Sequence, residues 1–384
     1  MNKKEFLEAL GANTSALSDR DRERLLDYYA ELIDDSVEEG LSEAEAVAAL
    51  GDPAALAKEF ASAKTEAAPA DDPRAESVPG LGDLRVRVIH ADVTIKRQPL
   101  ANGAAAQLRF SDPARFEWRM DGDVMEVVEK EPEGGRFSAR RMLQMLSSPG
   151  LRATVVLSDA LSGGLDYSAA GGDLYVDGVE LGGGAALSSA SGDIRLKNVA
   201  LGEALEIQCR SGDVKAENLR AAAAVVHSTS GDITADRLAT GGELRLETAN
   251  GDVELRGLEC GALKLSTASG DIEIDRGRAG AAAIRTASGD ARLDELETNP
   301  TLDVETASGD IDLSRCIALE TRLTAASGDV SVRLEPLPCG YDITVNSVSG
   351  DIRFAQDEVP AQEGVKQPRL EIRTVSGDIG VRMA

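Results

Sequence analysis

The sequence predicts a mainly β protein, a right-handed β-solenoid (β-helix) of roughly 19–20-residue coils, preceded by a small all-α helical bundle. Three observations predict it. A Gly-Asp pair recurs eleven times, with its Asp at Asp173, Asp193, Asp213, Asp232, Asp252, Asp271, Asp290, Asp310, Asp329, Asp351 and Asp378. The first nine are 19 or 20 residues apart, and the last two gaps widen to 22 and 27. The residues one and three after each Asp, and six before it, are all apolar. Aromatic residues are only 3% of the chain, which suits a narrow interior of Ala, Val, Ile and Leu.

The front end, residues 1–60, reads as helix. Phe6, Leu7 and Leu10 make a short apolar face closed by Gly11. A second helix begins near Ser18, and Leu25, Tyr29, Leu32 and Ser36/Val37 recur at three-to-four-residue spacing. Ser42 and Glu45 form a capping box, in which each side chain can bond the backbone amide near the other. Asp52-Pro53 supplies an N-cap and a first-turn proline for a helix over Ala54–Phe60. None of these helices is long enough to persist alone, so they must pack together.

The runs Lys4-Glu5-Phe6-Leu7, Asp27-Tyr28-Tyr29-Ala30-Glu31-Leu32-Ile33-Asp34 and Leu50-Gly51-Asp52-Pro53 carry a likeness. On these residues the segment resembles the HAAS-type helical domain found at the N-terminus of many bacterial signalling-associated membrane proteins. The resemblance implies docking of a protein partner connected with membrane stress or transcriptional regulation. Residues 61–80 shift to Ala, Pro, Asp and Glu without periodicity and are expected to be a flexible linker.

Residues 81–384 are expected to form the solenoid domain. Leu84–Ile95 fits the repeat register, with His90-Ala91 in place of Ser-Gly, and reads as an opening coil. Residues 100–160 fall out of phase. Leu108–Phe110, Phe116–Met120, Val124–Val128 and Leu151–Leu157 read as strands that cap the stack, where an open edge invites aggregation. Residues 138–148 (SARRMLQMLSS) are expected to be a capping helix or, on the sharper reading, a partner-docking segment.

Within each later copy, two period-two stretches flank the Gly-Asp pair, so the pair marks a corner. Strands this short cannot bury a face alone, but coils stacked about 4.8 Å apart can. Identical positions then form columns, among them one that is mostly Ser or Thr four residues before each Asp. A β-propeller needs four strands in about 40 residues, and no alternation of odd and even copies supports that pairing. The recurrent Thr-Ala-Ser-Gly-Asp-Ile, as at Thr267–Ile272 and Thr306–Ile311, resembles the bacterial β-strand-repeat family that carries the label of adhesins, a domain of unknown function. That resemblance implies a β-helical fold.

The formal charge of −26 argues against binding nucleic acid or anionic lipid. Four cysteines are too few for a disulfide framework, and no CxxC spacing joins Cys209, Cys260, Cys316 and Cys339. No run of about 18 apolar residues suggests a membrane span, and a cytoplasmic location is expected. The Asp column could in principle bind Ca²⁺ or serve a glycosidase, but a residue repeated in every coil marks no distinct site. Each Asp is instead expected to accept backbone amides at its corner. His227 is expected on the solvated surface and His90 at an inward corner, packed and hydrogen-bonded. The cysteines are expected to act as small hydrophobes. No catalytic, cofactor-binding or metal-binding residue is predicted. The sequence therefore points to a non-enzymatic scaffold or signalling-associated protein whose helical domain docks a protein and whose solenoid presents an extended surface. The alternative is a carbohydrate-binding or carbohydrate-active β-helix, or an adhesin-like surface protein.

Overall fold

A computed structural model describes residues 2–13, 26, 29–30, 33, 42–50, 52–53, 76–78, 81–100, 103–131, 150–355 and 367–383. The chain divides into two compact units. The first holds helices α1 (Lys3–Asn13) and α2 (Glu43–Leu50). Phe6, Leu10, Tyr29, Ile33, Ala46 and Val47 form its buried cluster, with Leu7, Leu26 and Leu50 against it. The Phe6 and Tyr29 rings meet edge to face with centroids 5.7 Å apart. The second helical segment thus turns Leu26, Tyr29 and Ile33 inward, at spacings of three and four. Leu25, Leu32, Ser36 and Val37 lie outside the described residues, as do the helix expected over Ala54–Phe60 and the insertion 138–148.

The second unit is a β-solenoid. Its strands belong to one 27-stranded sheet whose later pairings are parallel, each residue against its counterpart 19 or 20 positions on. The position after each Asp forms a single file. Ile194 pairs with Val214, Val214 with Ile233, Ile233 with Val253, Val253 with Ile272 and Ile272 with Ala291. Ala291 then meets Ile311 and Ile311 meets Val330. All eight are buried.

A second bend follows the Gly-Asp corners from Asp173 to Asp310. Five residues after the Asp stand Gly178, Asn198, Asn218, Arg237, Gly257, Arg276, Glu295 and Arg315, all with φ between 51° and 68°. This left-handed residue shifts the inward parity by one. The next position (Val179, Val199, Leu219, Leu238, Leu258, Leu296 and Cys316, with Gly277 in one coil) therefore faces the core, and the seven with side chains are buried.

The start of the stack is sealed. Strands β1 (Glu76–Val78), β2 (Asp83–Val88), β3 (Asp92–Arg97), β4 (Ala106–Phe110), β5 (Phe116–Asp121), β6 (Val124–Glu129) and β7 (Arg152–Leu157) build it. The β2–β3 coil stacks on the Asp173 coil on one side and on β6 and β7 on the other. β5 returns antiparallel along β6, and β1 antiparallel along β4. The expected capping strands are therefore present. Residues 76–78, placed in the linker by composition, are a strand, because backbone pairing to Ala106–Leu108 is indifferent to a polar sequence.

The other end departs from sequence order. The coil of Asp378 inserts between those of Asp329 and Asp351, so Asp351 and not Asp378 ends the stack. Two features favour this order. Glu371 of the inserted coil lies between Arg322 (3.7 Å) and Arg373, whereas the equivalent place in the Asp351 coil holds the neutral Thr344. Phe354, bulkier than the Val332 and Val381 of its column, stands where, among the described residues, no further coil constrains it.

Candidate functional site

The corner column is the most regular array of chemical groups in the protein. The backbone amide of each corner Asp donates to the Oδ1 of the corner Asp in the neighbouring coil. The chain of bonds starts at Asp92 and runs through Asp173, Asp193, Asp213, Asp232, Asp252, Asp271, Asp290, Asp310, Asp329 and Asp378 to Asp351, at 2.7–3.2 Å. Each carboxylate except that of Asp351 thus satisfies an amide that the corner removes from the sheet ladder. The second oxygen faces solvent, where Arg195 meets Asp193 at 2.6 Å and Lys215 meets Asp213 at 3.3 Å.

The glycine beside it is required by crowding. A Cβ on Gly270, Gly289 or Gly328 would lie 2.0 Å from a backbone carbonyl oxygen of the adjoining coil. Beside these glycines, buried Thr248, Thr267, Thr286 and Thr306 donate to glycine carbonyls of the neighbouring coil at 3.3–3.4 Å. Cys209 occupies the same column and its Sγ contacts the Gly212 carbonyl, so it stands in for Ser or Thr.

The first corner lacks a preceding Asp and is completed differently. Buried Glu129 accepts the amides of Ile89, His90 and Ala91 at 2.7, 2.8 and 3.0 Å on a single oxygen. Sequence reasoning missed this residue because it lies 39 positions from His90, with no repeat to align it. His90 is exposed, not packed inward, because its amide and not its ring is what the corner engages. His227 is half-exposed and its Nδ1 lies 2.9 Å from Glu247.

Burial pushes the Cys260 and Cys316 thiols up to about 11 and raises Cys209 as well. Burial likewise raises the Tyr167 phenol. Burial thus favours their protonated forms at neutral pH. Among the described residues, no three His, Cys, Asp or Glu side chains are grouped to hold a metal ion.

Two open grooves cross the outer faces. One, of about 860 Å³, runs past His227, Glu247, Thr267, Arg285, Glu305 and Thr324. The other, of about 740 Å³, passes Arg97, Asp159, Glu180, Asn198, Asn218 and Arg220. Inter-coil ion pairs occupy some of their charges: Arg285 with Glu305 at 3.2 Å and Arg97 with Glu180 at 2.7 Å. Among the described residues, no aromatic ring lines either groove to stack on a sugar.

A family model described as Toastrack DUF4097 matches residues 153–245 and 238–382, more than half of the chain. The chain belongs to the Toastrack DUF4097 family. The HAAS family model matches residues 5–59, ahead of the Toastrack region. Among solved structures, the Toastrack chain is similar to an adhesin-like protein from Bacteroides fragilis, 11% identical with a TM-score of 0.31. That match covers 82% of this chain and 99% of the other. A cell-adhesion-like protein from Clostridium sporogenes is 10% identical with a TM-score of 0.16, covering 82% and 100%. No curated protein matches the chain. Among the described residues, no helix of this Toastrack protein is long and apolar enough to cross a membrane.

Proposed function

We propose that the protein is a non-enzymatic scaffold in a signalling assembly, in which the helical unit docks a protein partner and the solenoid acts as a stiff, extended display surface. The observation that carries this reading is the corner column. Its carboxylates, the most numerous reactive groups in register, accept the amides of neighbouring coils and are thereby committed to holding the stack. Part of the outward surface supports the same reading, since opposite charges pair between coils at Arg278–Glu297, Arg285–Glu305 and Arg322–Asp303 and stiffen the stack. The helical unit has the separate closed core that an independent docking module needs.

The test is photo-crosslinking in the native host from the full chain, with the reactive residue at exposed Lys4 or, for comparison, at exposed Glu273. A discrete protein adduct from position 4 that is absent from position 273 is the expected result. Glycan cleavage by the purified chain, or no adduct from position 4, would overturn the proposal.

A further inference from the structure

The two ends of the solenoid are chemically different. At the start, β6 and β7 cover the first coil, and Met125, Val127, Val155 and Leu157 are buried. At the other end, among the described residues, the Asp351 coil pairs on one side only, with the Asp378 coil. Its core-column residues Ile352 and Phe354 are 43% and 47% exposed, while Ile379 and Val381 below them are buried. Val348, on the outer side of the same corner, is 81% exposed.

Asp351 also breaks the pattern of its column. Every earlier corner Asp receives the amide of a neighbouring corner on Oδ1, whereas among the described residues Asp351 Oδ1 receives none. Its Oδ2 lies 3.5 Å from Arg353 on its own strand. The terminal coil therefore carries an unused copy of each demand that the column makes elsewhere. There is an acceptor for one amide, a carbonyl at Gly350 that tolerates only a glycine above it, and two aliphatic seats above Ile352 and Phe354.

We propose that the Asp351 end is a strand-addition site for an extended segment of a partner protein, carrying Ser-Gly-Asp-aliphatic-x-aliphatic and adding in parallel register. The steps already present specify this occupant. Gly377 sits against the Gly328 carbonyl with no room for a Cβ (2.1 Å), Asp378 donates its amide at 2.7 Å, and Ile379 and Val381 continue the files. Backbone pairing supplies affinity in such β-augmentation, and the side-chain seats supply selectivity. A second copy of the folded chain offers no such strand. Its starting coil is covered by β6 and β7, and its own terminal coil presents the same unfilled acceptor and not the complementary amide. The proposal is independent of what the helical unit docks.

The experiment uses the full chain and a fluorescein-labelled peptide of residues 320–334 (ETRLTAASGDVSVRL), followed by fluorescence anisotropy. Saturable binding is expected. Gly328→Ala in the peptide, or Asp351→Ala in the protein, is expected to weaken it about tenfold or more, the effect of removing one charge-assisted hydrogen bond or inserting one clash. A photoreactive group at peptide position 323 should attach to residues 342–355. No saturable binding, indifference to both substitutions, or attachment to another part of the chain would overturn the proposal. So would sedimentation showing that the chain alone dimerises and that the peptide dissociates the dimer, since the occupant would then be a second copy.

Discussion

Gly289 sits where an added Cβ would lie 2.0 Å from the Gly270 carbonyl oxygen and 2.6 Å from its carbon. Backbone cannot yield there without breaking the ladder on both sides. Gly289→Ala should therefore destabilise the solenoid by about 1–3 kcal/mol, the usual range for overpacking. Gly380→Ala, with nothing within 4 Å of the new atom, should leave the denaturation midpoint almost unchanged. If the two midpoints move alike, crowding is not what the column selects. Thiol chemistry offers a second check. Cys209, Cys260 and Cys316 are buried and Cys339 only half-buried. Iodoacetamide at neutral pH should label Cys339 first in the native chain and all four in denaturant, read by mass spectrometry.

The strand pairs carry their own pH dependence. Arg87 donates to both carboxylate oxygens of Asp166 on the adjoining strand, and that hydrogen-bonded pairing holds the Asp166 carboxyl below its usual range. A carboxyl lowered in the folded state contributes stability that is present at neutral pH and is lost as pH falls through the folded value. Asp166→Asn should thus melt below the parent at neutral pH, and the gap should narrow only as the pH is taken below the ordinary Asp range and through the lowered folded value. A gap that stays constant with pH would mean the pair contributes through packing alone. The second bend makes a prediction of opposite sign. Glu295 holds φ 54°, a conformation that Asn, as at Asn198 and Asn218, adopts more readily. Glu295→Asn should raise the urea midpoint, by about 0.5–1 kcal/mol of stability if most of the left-handed strain is relieved. This bend was hard to see in the sequence. Any residue that points into solvent can fill the position, so Arg and Glu occur there beside Gly and Asn and hide the backbone requirement. The Gly-Asp corner was legible because it combines two demands that one residue type each can meet: no Cβ, and a short side chain with an acceptor.

For the whole molecule, the number and direction of the coils were written in the period, whereas the order of the last two was not. Ser347-Val348-Ser349-Gly350-Asp351-Ile352 and Thr374-Val375-Ser376-Gly377-Asp378-Ile379 satisfy the same columns. Glu371 against Thr344, and the size of Phe354, distinguish them, and those are contacts between coils that no single repeat displays. It follows that a chain ending at residue 355 should still fold its final coil, now directly upon Asp329. Hydrogen exchange of residues 342–355 checks this: protection retained is the expected result, and full exchange would mean the inserted coil is indispensable. In the intact chain, protection should be greatest across 233–314 and least over 342–355, because each coil is held by its neighbours and the last has only one.

Glu129, seated on three amides at the first corner, has a wider consequence. Since the beginning is finished by its own dedicated residue, the middle of the pile is free to vary in count. Deleting a unit such as 253–271 or duplicating it would join like to like, and would shorten or lengthen the object by about 4.8 Å without disturbing either terminus. The solenoid unit is in this sense a ruler, whose length can be reset in whole steps while its first and last coils stay the same.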